Sequence, residues 1–370
     1  FYLKYFSKIN ETDTLNFSSI GYITRKVSFS ELKGSNYVVL LSESVELLKE
    51  VTITSRQQLK YQIAYTKHSS LSDGLYSFGS VLVGDKIWVI GGDKSFVSIL
   101  KWKPSFTWES FNDKLYIYDM QMDKWTTSSL TFSKRAYNGL NYYNDKIYVL
   151  GGKTLSTNRK LEYLDDRIEV YDVNTNTILV DNTNPHQAVN FASFVYDDNL
   201  IVMGGSTRIK VNEEKECSRK VHLLKLKTGY WYELNDMPIA KETKGVLVNN
   251  TIYLVGGFNL KPLDNIETYN ITTGEWKSVG QLFYEVERPA LAYKDNIIYI
   301  FEDGRIQIYN IETKELKLYS VDLPLKSCEM FYANNKLYLL GGWIHNEISE
   351  NESTIVPSSG LYSIELSEFN

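Results

Sequence analysis

The sequence predicts an all-β chain: a six-bladed β-propeller preceded by a small partial β-sandwich. Three observations carry this. A short apolar strand runs six times into a pair of small or turn-forming residues: KIWVIGG (Gly91, Gly92), KIYVLGG (Gly151, Gly152), NLIVMGG (Gly204, Gly205), TIYLVGG (Gly256, Gly257), IIYIFED (Glu302, Asp303) and KLYLLGG (Gly341, Gly342). The intervals are 60, 53, 52, 46 and 39 residues, and a period near 50 is the spacing of propeller blades. The 370 residues carry 28 Tyr and 16 Phe, with 43% hydrophobic residues, a composition suited to many half-buried strands around a sizeable core.

Each unit reads as four strands. Before each pair lies a tight polar turn: Gly84-Asp85, Asn144-Asp145, Asp197-Asp198, Asn249-Asn250, Asp295-Asn296 or Asn334-Asn335. Such residues tolerate the positive φ that two-residue hairpins require. β-Branched and aromatic runs flank each turn and give strands a and b. A third strand, c, follows with Tyr118-Asp119, Tyr171-Asp172, Tyr269-Asn270 or Tyr309-Asn310, Leu224 standing in for Tyr in the third unit. Seven residues later comes Trp125, Ile178, Trp276, Leu316 or, in the third unit, Trp231, which marks strand d.

Apolar strand, Gly-Gly, Tyr-Asp and Trp in that order resemble the kelch motif over residues 59–370. The fifth unit departs with Glu302-Asp303, and units two and five lack the Trp. The glycines read as structural, letting strand backbones pack and turn near the channel. The sixth unit ends its third strand at Leu361–Leu366, too close to Asn370 for a strand d of its own. Counting back 26 residues from Gly91 reaches Tyr65, so the stretch Leu59–Thr66 is expected to supply the missing strand and close the ring.

Residues 1–55 carry no repeat and read as short strands: FYLKYF, TLNFSSIGY, RKVSF, YVVLLS and LKEVTIT. The Ile20-Gly21-Tyr22 step, the apolar run Val38–Leu41 and the phrase Leu48-Lys49-Glu50-Val51 resemble the second half of a carboxypeptidase regulatory-like β-sandwich. The expected domains are therefore 1–57 and 58–370. The resemblance implies a Bacteroidetes-type protein of the periplasm or cell surface. The chain begins at Phe1 without an initiator Met, so further sequence is expected upstream.

Net charge is −5 with no basic block, which argues against a nucleic-acid partner. No apolar run approaches the roughly 18 residues of a membrane span. Cys217 and Cys328 have no metal-type spacing and read as two buried thiols. No cofactor and no metal are expected.

Function is expected in the loops joining b to c and d to the next a, which gather on one face of a rigid ring. The first b–c loop carries Trp102 and Trp108, the second Arg159, the third Arg208, Glu213, Glu214 and Arg219, and the sixth Trp343 and His345; the fourth and fifth are short. Trp beside charged groups suits sugar binding, where rings stack on a pyranose and polar groups fix hydroxyls. The same aromatics could simply pack the loops onto the blade. Arg135 and Arg288 fall in d–a loops where many kelch repeats place an Arg, for ligand contact or for bonding neighbouring-blade carbonyls. The main reading is a non-catalytic module that binds a glycan, sialic acid among them, or a protein. The alternative resembles the metal-free N-acetylneuraminate epimerases (mutarotases), with Glu213, Glu214 and Arg219 as acid/base and clamp candidates. A copper radical oxidase resembling galactose oxidase fits poorly, because none of the four histidines, at 68, 186, 222 and 345, is expected to be arranged as a neighbour of another.

Overall fold

A computed structural model describes residues 10–19, 22–42, 62–101, 103–108, 110–158, 161–207 and 216–369, with the backbone alone for 103–108. The chain divides into two compact units, residues 1–58 and 59–370. In the first, strands Thr14–Phe17 and Arg25–Ser28 pair antiparallel. Helix Phe29–Gly34 follows directly, because Ser28 caps it by accepting the Glu31 N–H at 3.2 Å, in a Ser-x-x-Glu capping pattern. The strand expected at Val38–Leu41 is not formed. That segment is held instead by a bond from the Ile23 N–H to the Ser42 carbonyl at 2.8 Å. The phrases FYLKYF and LKEVTIT and the Ile20-Gly21 step lie outside the described residues.

The second unit contains six antiparallel a-b-c-d sheets among the described residues. The first is built from Gly79–Val83, Lys86–Ile90, Lys114–Asp119 and Lys124–Thr131, and the other five repeat this order. The seven-residue step has a direct physical cause. Tyr118 lies opposite Trp125, Tyr171 opposite Ile178, Leu224 opposite Trp231, Tyr269 opposite Trp276 and Tyr309 opposite Leu316 across the c–d turn. The Tyr269 and Trp276 rings stand 4.7 Å apart, the kind of cross-strand pair that stabilises a sheet.

Each blade packs on the next through its own apolar cluster, and the six clusters complete a circle. Blade one meets blade two through Ile90, Leu115 and Ile147. The seam between blades six and one is filled by Leu340 and Leu361 against Leu75, Ile87 and Val89. Fully burying each such side chain contributes about 1.5–3 kcal/mol. A repeated backbone bond runs beside these clusters. The N–H of the second glycine donates to the d–a loop entering the next blade: Gly92 to Arg135, Gly152 to Ala188, Gly205 to Lys241, Gly257 to Val286 and Gly342 to Leu75, all at 2.8–3.0 Å. Asp303 does the same to Leu325 in blade five, at 2.9 Å. Close approach on both sides explains the glycines: the first of each pair lies against the next blade's entry loop and the second against the entry loop of its own blade. Gly257 has φ +109°, and a Cβ there would sit 2.2 Å from the Glu242 carbonyl oxygen.

Ring closure differs in detail from the expected strand at Leu59–Thr66. Residues 59–61 lie outside the described residues. Gln62–Ile63 adds in parallel to strand d of blade five, where Ile63 is buried between blades five and six. The chain then steps across, and Thr66–Lys67 pairs antiparallel with Leu361–Glu365 as a two-residue strand d of blade six. Tyr65 sits edge-on to Tyr362 at 5.5 Å. Burial of Ile63 diverts half of the anticipated strand to the neighbouring blade.

Candidate ligand-binding face

The d–a loops are fixed by buried polar side chains. Arg135 donates to the carbonyls of Gly151 at 3.4 Å and Arg167 at 3.2 Å, and reaches Glu169 at 2.8 Å and Asp165 at 3.3 Å. Lys241 holds Gly256 O at 3.1 Å and Glu267 at 2.7 Å. His186 holds Gly204 O at 2.8 Å, and its Nδ1 faces His222 Nδ1 at 2.8 Å. Glu169, His222 and Glu267 occupy one register position, opposite Val149, Val202 and Leu254. Arg135 is completely buried, and burial lowers its pKa against the pull of Asp165 and Glu169. It is an anchor of blade two, bonding carbonyls of that blade, and has no exposed surface.

Two loops meet over the channel. Tyr137, at φ +63°, comes from the loop between blades one and two, and Arg288 from the loop between blades four and five. The guanidinium carbon stands 5.7 Å from the Tyr137 ring centre and is held by Glu287 at 3.1 Å and Glu242 at 3.6 Å. Lys153 stands 5.0 Å from the same ring. The Tyr137 hydroxyl is 3.3 Å from Asp93, whose carboxyl pKa is raised by burial. One residue deeper lies a channel cavity of about 310 Å³, lined by strands a and carrying the ion pair of Lys244 with Glu329.

Blade five leaves a notch in the rim. Its strands b and c join through Asp303-Gly304, both at positive φ, a two-residue hairpin in place of a rim loop. Above this turn is a cavity of about 420 Å³ lined by Glu287, Arg288, Glu302, Arg305, Lys326 and Trp343, among others. Glu302 accepts the backbone N–H groups of Glu287 at 3.1 Å and Arg288 at 2.8 Å, and burial raises its pKa. Lys326 bridges Asp303, at 3.3 Å, and the Trp343 ring, at 5.5 Å from its centre. Beyond Trp343 the long loops of blades six and one combine into an additional rim sheet, in the order Trp343–Ser349, Glu352–Pro357, Phe96–Leu100, Lys103–Trp108.

A model described as the KLHDC2/KLHL20/DRC7 Kelch-repeats domain matches residues 77–301, well over half of the chain. The chain belongs to the kelch-repeat family. Kelch repeat and BTB domain-containing protein 2 of cowpox virus (strain GRI-90 / Grishak) is 29% identical over 143 residues, 38% of this chain and 24% of the viral protein. Kelch-like protein terF of Aspergillus terreus is 25% identical over 282 residues, 71% of this chain and 56% of the fungal protein. The chain thus spans between a quarter and about half the length of these curated relatives. A solved structure titled "Structure of YjhT" superposes with a TM-score of 0.62 at 13% identity, covering 79% of this chain and 95% of that one, a likeness of fold.

On this kelch propeller the residues singled out from sequence fall into separate places. Arg288 and Trp343 meet in the notch, and His345 continues from Trp343 along the rim sheet. Arg219 lies on blade three, paired with Asp236 at 3.3 Å. Trp108 ends a rim strand, and its side chain is not described; Trp102, Arg159, Arg208, Glu213 and Glu214 lie outside the described residues. Sequence reasoning missed Tyr137, Asp93 and the role of Glu302. The signal for the last was present, since Asp-Gly after an apolar strand marks a tight hairpin and hence a gap in the rim. The histidines also differ from the sequence reading, because His186 and His222 are spatial neighbours. Cys328 is buried as expected, whereas Cys217 is partly exposed.

Proposed function

We propose that this kelch propeller is a non-catalytic module that binds a protein ligand in the notch over blade five and along the adjoining rim sheet. The observation that carries the reading is the meeting of Arg288 and Trp343 in an open cavity of about 420 Å³ that also presents Glu287, Glu302, Arg305 and Lys326. Cations, carboxylates and an aromatic ring side by side suit a polypeptide, whose side chains and backbone offer both signs of charge and apolar surface. A pyranose stacks on an aromatic face, and the Lys326 ammonium already stands over one face of the Trp343 ring. The test is selection of displayed random peptides on the chain, in parallel with a glycan array. Enriched peptides that bind at least tenfold more weakly to Arg288→Ala and Trp343→Ala support the reading. Binding to glycans alone overturns it.

A sugar mutarotase is the second reading. It draws support from Glu302, a half-buried carboxyl whose pKa burial raises and which accepts the Arg288 backbone N–H, so that a candidate acid/base and a cation lie in one cavity, as anomer interconversion needs. Anomerisation of sialic acid no faster with the protein than in buffer removes it. Placement in the periplasm or on a cell surface is likewise a proposal. It rests on the resemblance of residues 1–55 to a carboxypeptidase regulatory-like domain, and fractionation of the expressing cell tests it.

A further inference from the structure

The rim sheet ends in an edge whose first rung is already made. Trp343 donates its N–H to Lys326 O at 2.9 Å and accepts the Lys326 N–H at 3.0 Å, on the side away from its sheet neighbour. Its opposite residue in the sheet is Pro357, which has no N–H to give. Trp343 and Pro357 are therefore a non-hydrogen-bonded pair. In an antiparallel ladder such pairs alternate with bonded ones, so their backbone groups point outward at every second residue. The register runs His345 opposite Ile355 and Glu347 opposite Ser353, which makes these the next two outward-pointing residues. The residues before Lys326, which would continue along this edge, are directed to blade five instead, where the Leu325 carbonyl accepts the Asp303 N–H, and no strand among the described residues pairs with this edge. A register shift between Glu347 and Ser349 ends it.

The same alternation puts the Trp343, His345 and Glu347 side chains on one face. That face runs from the notch to a second groove of about 430 Å³ lined by Lys101, His345, Glu347, Glu350 and Glu352. Three carboxylates face one ammonium there. In the notch, Glu285, Glu287, Glu302 and Asp303 face Arg288, Arg305 and Lys326. Both ends of the edge carry an excess of negative charge.

We propose that the edge Trp343–Glu347 receives an extended, basic segment of a partner protein as an added strand, continuing the rung begun by Lys326. Main-chain bonds to His345 and Glu347 supply the docking, and the carboxylates of the two grooves select Lys and Arg on the incoming strand. The proposal deepens the reading of the propeller as a protein-binding module and rests on it.

The test uses the peptides enriched on the wild-type chain and a proline at the outward position. Pro is tolerated on an edge strand where the N–H it replaces faces outward, so His345→Pro keeps the sheet and removes one docking donor. The prediction is that the enriched peptides are net positive, that His345→Pro weakens them at least tenfold while His345→Ala changes them less than threefold, and that Glu347→Lys weakens them. Circular dichroism and melting temperature of each variant check that the fold is intact. If His345→Pro unfolds, N-methylation of alternate peptide amides replaces it as the test, with at least tenfold loss expected for the amides facing the edge. Peptides that bind wild type and His345→Pro equally, or that tolerate every N-methylation, overturn the added strand and leave the protein-binding reading standing. Acidic peptides overturn the charge selection. A selection that yields no peptide overturns both.

Discussion

The Lys241 ammonium lies 2.7 Å from the Glu267 carboxylate with no exposed side-chain surface of its own, and it also donates to the Gly256 carbonyl at 3.1 Å. The pair joins the loop entering blade four to strand c of the same blade. Burial lowers the lysine pKa against the opposing pull of the Glu267 carboxylate. Breaking one partner leaves an uncompensated buried charge, which costs about 3–5 kcal/mol. Glu267→Gln is therefore expected to lower the unfolding free energy by that amount in urea denaturation. The double change Lys241→Met with Glu267→Leu removes both charges and is expected to cost less than either single change.

The His186–His222 pair occupies the same place in blade three and makes that blade sensitive to acid. Burial pushes the His186 pKa from 6.5 down to about 4, and burial lowers His222 as well. The folded protein thus binds fewer protons than the unfolded chain between these pH values. The stabilising contribution is complete above pH 6.5 and is lost as pH falls from 6.5 towards 4, to a total of about 3 kcal/mol for His186. Melting temperature measured from pH 7.5 to 4 is expected to fall more steeply for wild type than for His186→Gln.

The glycine pairs are expected to behave as packing residues. At Gly257 the backbone lies at φ +109° and the Glu242 carbonyl oxygen occupies the space a Cβ would need. Gly257→Ala is expected to destabilise the ring by more than about 2 kcal/mol through strain and displacement of the blade-four entry loop. Gly84→Ala meets no atom within 4 Å and bears only the positive-φ penalty, of about 1 kcal/mol. Thermal denaturation of the two variants side by side checks the difference.

Much of the ring was legible because its signals are local and repeated. The seven-residue step from Tyr118 to Trp125 records a cross-strand pair, and the glycines record a backbone contact made at every blade. The closing strand was legible only in part. The residue count found the right segment, but the burial of Ile63 between blades five and six is a tertiary fact that no strand pattern contains. In the N-terminal unit the Ser28-x-x-Glu31 cap was there to be read as the start of the helix Phe29–Gly34.

The site was less legible for a related reason. Arg135 and Arg288 both lie in d–a loops but two positions apart in register. The repeated glycine bond meets Arg135 in blade two and Val286 in blade five, so Arg288 stands where blade two has Tyr137. One arginine is sealed against Glu169 while the other stands at the notch. Blade two supplies a carboxylate on strand c to hold the arginine. Blade five has Gln307 at the corresponding position, and its amide is engaged by the backbone of Phe283 and Tyr284. Which arginine is buried and which opens onto the notch follows from this two-residue offset in the loop, together with the strand-c residue that each blade supplies.

The most direct test of the binding face is hydrogen–deuterium exchange of the chain with and without a peptide selected on it. The account predicts slowed exchange confined to residues 285–288, 302–305, 326–327 and 343–347. Protection centred on the opposite face, at the a–b turns such as Asn144-Asp145 and Asn334-Asn335, would contradict it.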